Sequence, residues 1–187
     1  MSESTIMNDD NILVANFRNE ATRERAFTQI VKKYQERLYW HIRRMVVEHE
    51  DTNDVLQNVF IKVWRNLAEF REESNLYTWL YRIATNETLT WIEKQKKTSA
   101  IHLSTDDEHF FSQKLVAQKD FNPNTIEWKL QKAVQSLPER QKLVFNLRYY
   151  DEMPYDEMAR VLETSAGALK ASYHHAVKKV EAALLKH

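Results

Sequence analysis

Apolar residues return every three or four positions along almost the whole chain, a spacing that puts them on one face of an α-helix. Residues 9–18 carry Ile12, Leu13 and Phe17 and predict a short first helix. From Ala21 a longer helix shows Phe27, Ile30, Val31, Tyr34, Leu38, Ile42 and Met45 on one stripe. The acidic stretch from Glu48 to Asp51 breaks it, with Asp51 placed to cap a third helix whose Val55, Val59, Val63 and Leu67 stand four apart. A short polar loop follows Phe70, and with Ser74 as the expected cap a fourth helix buries Leu76, Leu80, Ile83 and Ala84.

Helical periodicity stops between Thr98 and Asn124, a polar stretch that is acidic in its middle and ends in Asn122-Pro123. It reads as a linker with a short helical turn around residues 110–116. Its acidic part either mimics nucleic acid or is simply solvated. The period resumes with Ile126, Leu130, Val134 and Leu137, then with Leu143, Val144, Leu147 and Tyr150 behind Pro138. Asp151 to Met153 form a turn, Pro154 starts a helix that runs to Leu162, and the turn Glu163-Thr164-Ser165 leads into a last helix that runs to the end. Two helices joined by such a turn predict a helix-turn-helix, whose second member lies in the major groove of DNA.

Composition narrows the picture. One glycine and three prolines in 187 residues are too few for the turns of a sheet protein, so the expected fold is all-α. Two small helical domains are expected, residues 1–97 and 125–187, joined by a flexible linker at 98–124. There is no cysteine for a disulfide framework. No segment approaches the roughly 18 apolar residues of a membrane span, and the start of the chain lacks a basic region followed by an apolar run. A soluble cytoplasmic protein without membrane insertion is expected. Lysine plus arginine equals aspartate plus glutamate at 27 each, so bulk attraction alone would not hold DNA. Either any DNA contact is local and aided by a partner, or the chain does not bind nucleic acid.

The fourth helix carries the most unusual chemistry. Tyr77, Trp79, Tyr81, Arg82, Asn86 and Trp91 surround its apolar stripe, and Lys94, Lys96 and Lys97 follow near its end. Rings can stack bases, an amide can read their edges and cations can hold phosphates, which suits a splayed single strand. The same aromatics could equally belong to a core. On the third helix, Asp54, Gln57, Asn58, Ile61, Lys62 and Arg65 form a second, polar face with Phe60 and Trp64 at its edge. Those two rings either mark a partner surface or complete a wide core face.

The run Thr78-Trp79-Leu80-Tyr81-Arg82-Ile83-Ala84, followed by Asn86, closely resembles the promoter-melting segment of extracytoplasmic-function (ECF) sigma factors, subunits that start bacterial transcription. The pattern at Asp54, Gln57, Phe60 and Trp64 resembles their segment that docks on the clamp of core RNA polymerase, and residues 137–162 resemble their promoter-distal domain. The resemblance spans about residues 9–186. It implies a sigma factor that binds bacterial core RNA polymerase, recognises −35 and −10 promoter DNA and helps melt the duplex. It further implies that Phe70, Arg71, Ser74, Asn75, Leu76, Tyr77, Trp79, Arg82, Asn86, Lys94, Lys96 and Lys97 serve the −10 element. Asp54, Gln57, Asn58, Phe60, Ile61 and Trp64 would meet the polymerase. An anti-sigma factor is an implied partner, since family members are often held inactive by one.

The last helix departs from the family pattern. Of the customary G-T-V-K-S-R-x-x-R-A-R, Lys170 is kept, while three arginine positions hold Ser172, His175 and Val177. Bidentate arginine contacts are lost. The resemblance therefore implies −35 contacts from Lys170, Ala171, Ser172, His174, His175 and Lys178, and weaker binding there. Adjacent histidines point about 100° apart on a helix and make a poor metal pair, so neither metal nor cofactor is expected. The acidic pairs Asp9-Asp10, Glu72-Glu73 and Asp106-Asp107 lack a histidine, nucleophile or glycine cradle at useful spacing, so no enzyme is expected. A self-sufficient helix-turn-helix regulator and an all-helical adaptor are the alternatives.

Overall fold

A computed structural model describes residues 3–71, 74–101 and 126–185, with side chains from residue 9 onward and excluding 99–101. Among these residues there are only helices and connecting turns. They are α1 (Glu3–Arg18), α2 (Arg23–Val46), α3 (His49–Asn66), α4 (Leu76–Ile101), α5 (Ile126–Gln135), α6 (Glu139–Tyr149), α7 (Tyr155–Leu162) and α8 (Ala166–Leu185), with a 3-10 turn at Leu67–Glu69. The expected turn around residues 110–116, and nearly all of the expected linker, lie outside the described residues. At its near end α4 continues to Ile101, four residues into the stretch assigned to that linker.

Helices α2, α3 and α4 pack their apolar stripes together. Ile30, Leu38, Ile42, Val59, Val63, Leu67, Leu80 and Ala84 are fully buried, while Tyr34, Val55 and Leu76 keep 2% exposure or less. Helix α1 covers one side of this bundle through Val14 and Phe17. It is also pinned by polar contacts, because Asp10 is buried and accepts hydrogen bonds from Tyr34 (2.5 Å) and Lys33 (2.7 Å). At its far end Arg18 donates to the carbonyls of Ala68 and Phe70, at 3.2 and 2.5 Å, bracing the turn that leads into α4.

Local starts differ from the expected ones. Asn75, not Ser74, caps α4: its Oδ1 accepts the Thr78 N–H at 2.9 Å, because the first helical residue is Leu76 and the cap must immediately precede it. Asp51 does not cap α3. That helix begins earlier, at His49, and leaves Asp51 in the first turn, where its charge still suits the helix dipole. Pro138 and Pro154 stand at the N-cap positions of α6 and α7, one residue ahead of the expected place. Between α2 and α3 the chain turns through Val47 at φ 73°, a conformation that β-branched residues rarely adopt. Burial of that side chain to 3% exposure holds it there.

In the C-terminal half, α5, α6 and α8 enclose Ala133, Val134, Leu137, Phe145, Ala176 and Val180. Leu143, Val144, Leu147, Met153, Met158, Val161 and Leu169 belong instead to the same apolar cluster as the core of α2 and α4. The two halves are therefore packed together, not merely tethered. The tightest inter-half contacts run from α4 to α7 and from α2 to α6.

Leu80 belongs to the shared cluster and has no exposed surface. Leu80→Ala should cost about 2–5 kcal/mol by loss of apolar transfer energy and by the cavity left behind. Urea unfolding followed by circular dichroism measures it.

Candidate nucleic-acid and partner surfaces

Helix α4 has one buried side and one side that is mostly polar. Leu76, Leu80, Ala84 and Ile92 face the bundle. Asn75, Trp79, Arg82 and Asn86 recur on successive turns and share the opposite side. Phe70 and Leu76, expected to touch DNA, are core residues at 6% and 2% exposure. They support the loop from beneath: the Phe70 ring packs against Trp79 at 5.2 Å between centroids, leaving Trp79 half-buried. Tyr81, expected on the outer circumference, is 1% exposed because its hydroxyl finds a buried carboxylate partner in Asp151 (3.3 Å).

Tyr77 is half-buried against Tyr81, with ring centroids 4.4 Å apart. Burial, reinforced by the nearby Asp151 charge and partly offset by a hydrogen bond with Tyr81, pushes its phenol up to about 12. Arg71, Lys94 and Lys97 are exposed, and Ser74 is half-exposed. Arg82 and Lys96 already have carboxylate partners, Glu163 and Glu139. Asn75 donates its amide to Glu157 at 3.2 Å, and the Thr78 hydroxyl lies 3.2 Å from the other oxygen of the same carboxylate. Asn86 is exposed and lines a groove of about 460 Å³ between α4 and the helix-turn-helix.

The polar face of α3 is intact. Asp54, Gln57, Asn58 and Ile61 are exposed, the last at 41%. Trp64 and Phe60 pack on the core without being fully covered by it. Trp64 meets Phe17 and Phe27 edge-on, at 5.2 and 4.9 Å, yet keeps 39% exposure, and Phe60 packs edge-on to Phe27 at 6.3 Å. A rigid aromatic platform set beside charged and amide groups is the composition of a protein-binding surface.

Helices α7 and α8 meet at the expected turn. Glu163 adopts a left-handed conformation, φ 49° and ψ 45°, that ends α7. The Ser165 hydroxyl accepts the Ala168 N–H at 3.2 Å and starts α8. Leu169, Ala176 and Val180 anchor α8 from beneath. Lys170, Ala171, His174, His175 and Lys178 form one exposed face, with the Lys170 ammonium 5.6 Å from the Tyr155 ring centre. Ser172 is half-buried on another side and lines the groove that Asn86 also lines.

One polar cluster had no signature in the sequence. The Asp151 carboxylate, 6% exposed, faces Arg44 (3.0 Å), His41 (3.3 Å) and Tyr81 (3.3 Å), while the other ring nitrogen of His41 lies 3.0 Å from the Thr85 hydroxyl. Arg44 also stacks on Tyr150 at 4.4 Å, and Gln135 donates to the Arg44 carbonyl at 2.7 Å. Removing one partner from such a buried charge cluster costs about 3–5 kcal/mol. The exposed Arg82–Glu163 pair is worth less than about 1 kcal/mol.

These features define an all-helical protein with a helix-turn-helix and two further exposed faces that mix aromatic and polar groups. The sigma-70 region 2 family model matches residues 30–98, and the model of sigma-70, region 4 matches residues 127–180. The chain is 29% identical over 168 residues to the RNA polymerase sigma-H factor of Pseudomonas aeruginosa, covering 86% of this chain and 87% of that protein. It is 27% identical over 165 residues to the ECF RNA polymerase sigma-E factor of Escherichia coli K12, covering 84% and 86%. Among solved structures, CnrH in complex with the cytosolic domain of CnrY superposes with a TM-score of 0.67 at 22% identity, over 94% of this chain and 96% of that one. The sigma factor RpoE in complex with the anti-sigma factor NepR, from Bartonella quintana, gives 0.69 at 20% identity, over 86% and 96%. The chain belongs to the extracytoplasmic-function sigma factors of the sigma-70 family. It binds core RNA polymerase, recognises promoter DNA and helps melt it to initiate transcription.

The raised Tyr77 value means that folding favours the neutral phenol. Its contribution to stability is complete below the ordinary tyrosine value of 10 and is lost as pH rises toward about 12. In Tyr77→Phe, a tyrosine ionising near pH 12 should disappear from the tyrosinate absorbance titration, and alkaline destabilisation should be shallower.

Proposed function

We propose that the three faces divide the work of initiation among themselves. Residues 1–97 form the module for polymerase binding and the −10 element, 125–187 the module for the −35 element, and 98–124 the linker between them. The α3 face, with Asp54, Gln57, Asn58, Ile61, Phe60 and Trp64, docks on core polymerase. Its semi-exposed rings are held rigid by Phe17 and Phe27, so little side-chain entropy is lost on docking.

The α8 face lies in the major groove of the upstream element. Lys170 and Lys178 hold phosphates, and His174 and His175 reach the groove without the forked donors of arginine. Ser172 points away from that face, which leaves the upstream contact smaller than six residues would make it. Duplex attraction is correspondingly modest, and the polymerase supplies much of the channel charge that a chain of zero net charge cannot.

The α4 face carries the opening step, supported above all by the single stripe of Asn75, Trp79, Arg82 and Asn86 within the region 2 match. A non-template base leaves the stack, which takes a few kcal/mol, and is recovered by stacking and edge contacts. Trp79 offers a ring, Asn86 an amide edge, and Arg82 with Arg71, Lys94, Lys96 and Lys97 the phosphate contacts. All of this is binding, with no bond made or broken by the chain, and it takes place in the cytoplasm where the polymerase works. An anti-sigma factor, of the kind named with the structural neighbour RpoE, would control access to these faces.

Run-off transcription from a genomic library, with purified core polymerase in the presence and absence of the chain, tests the proposal. Asn86→Ala should lower promoter opening by about 10-fold, the loss of 1–3 kcal/mol of base contact, without weakening polymerase association. Trp64→Ala should weaken that association by about 30-fold or more, as a central aromatic anchor does. Unchanged opening in the first variant removes Asn86 from the site.

A further inference from the structure

A cavity of about 530 Å³ lies between α2, the turn that follows it, and helices α5 and α6. It shares no lining residue with the groove beside Asn86, and none of the residues assigned above to promoter or polymerase lines it. Its size falls within the range of about 300–1,000 Å³ that small-molecule sites commonly have.

The charge in its wall has one sign. Among the described residues no aspartate or glutamate lines the cavity, whereas Arg43 and Arg44 both do. Arg44 is committed to Asp151 and to the ring of Tyr150. Arg43 is not: its guanidinium has no partner among the described residues, and the positions three and four residues away hold Tyr39, Trp40, Val46 and Val47 instead of a carboxylate. The cation therefore stands one helical turn from two rings with no counterion of its own. Trp40 keeps 47% of its surface exposed, and Tyr39 meets it edge-on at 5.3 Å. Tyr39 is braced in turn, since its hydroxyl lies 2.8 Å from one nitrogen of His49, whose other nitrogen meets Asn53 at 3.1 Å. A held ring with open surface is a platform for stacking.

Two amides in the wall are unspent. Asn146 is fully buried; its Nδ2 donates to the Met45 sulfur at 3.5 Å, while its Oδ1 has no donor among the described residues. A buried acceptor without a donor is costly, and a ligand that brings one removes the cost. Gln131 is half-buried and its amide likewise has no partner among the described residues. Gln135 differs, since it is spent on the Arg44 carbonyl and on Lys142.

We propose that this cavity binds a purine mononucleotide that carries an exocyclic amino group. The base stacks on Trp40, its amino group gives Asn146 Oδ1 the missing hydrogen, Gln131 meets its edge, and Arg43 holds the phosphate. Simpler ligands fit less of the wall. A plain aromatic acid would leave Asn146 without a donor, and a free phosphate would leave Trp40 uncovered. Because α2 lies in one half and α5 and α6 in the other, the bound nucleotide raises the stability of the whole chain.

Isothermal titration calorimetry of the full chain with AMP, GMP and IMP tests the site, with melting followed by circular dichroism. At least one of AMP and GMP should bind at one-to-one stoichiometry and raise the melting temperature. IMP keeps the ring and the phosphate but has no exocyclic amino group, and should bind about 10-fold more weakly. Arg43→Gln should weaken the nucleotide about 10-fold and leave the affinity for the matching nucleoside unchanged. Trp40→Ala should weaken nucleotide and nucleoside alike, about 10-fold, and Trp40→Phe should restore most of the loss. Both side chains are partly exposed, so the helicity of the unliganded variants should match the wild type. The proposal is overturned if neither AMP nor GMP binds at millimolar concentration, if IMP binds as tightly as both, or if Arg43→Gln and Trp40→Ala bind like the wild type. Binding that is lost in Asn86→Ala and kept in Arg43→Gln places the nucleotide on α4 and overturns it as well. None of these outcomes depends on the assignment of the promoter-facing surfaces.

Discussion

A carboxylate taken out of water needs donors that stay put, and Asp151 finds all of its described ones in the other half of the chain. Its position dictates much else. Arg44 stacks on Tyr150, His41 is held at zero exposure between Asp151 and Thr85, and Tyr81 lies on a helix side shared with buried Thr78, Ala84, Thr85 and Thr88. Apolar burial between α4, α6 and α7 supplies most of the adhesion between the halves. The buried cluster supplies the register, since sliding by one turn would strand a charge.

Helix α4 has to satisfy two sets of constraints at once. Its inner stripe belongs to the bundle core, and its outer stripe carries groups that can meet a nucleic acid. Threonines 85 and 88 resolve part of the conflict at the boundary: one hydroxyl meets His41 and the other bonds the Ala84 carbonyl within the helix, so both polar groups are buried with a partner. This is why the helix reads as too mixed in polarity for a plain surface helix yet remains stable along its length.

The three faces proposed to act in initiation differ in how they are held. On α3, rigidity comes from rings packed beneath the surface. On α8 it comes from a short cap at Ser165 and a buried line of Leu169, Ala176 and Val180. On α4 the residues that reach outward are held by carboxylates from the other half of the same chain. Packing of the first two kinds fixes a surface permanently, whereas polar contacts of the third kind can be exchanged for water or for another anion.

Fold class and element order were legible in the chain itself, because a 3.6-residue apolar period is a local property and few glycines and prolines interrupt it. The polar face of α3, the turn at residues 163–165 and the exposed face of α8 were readable for the same reason. The sequence points to Ser74 and Asp51 as caps and the structure does not use them, since the choice between neighbouring polar residues depends on where the first helical hydrogen bond closes. Periodicity puts Leu76 on the buried stripe, as the structure has it, whereas Phe70 and Tyr81 read as surface candidates and are buried. Only tertiary structure could decide the place of Tyr81, because the partners of Asp151, Tyr81 among them, come from positions about 70 to 110 residues away along the chain, and no periodicity links them.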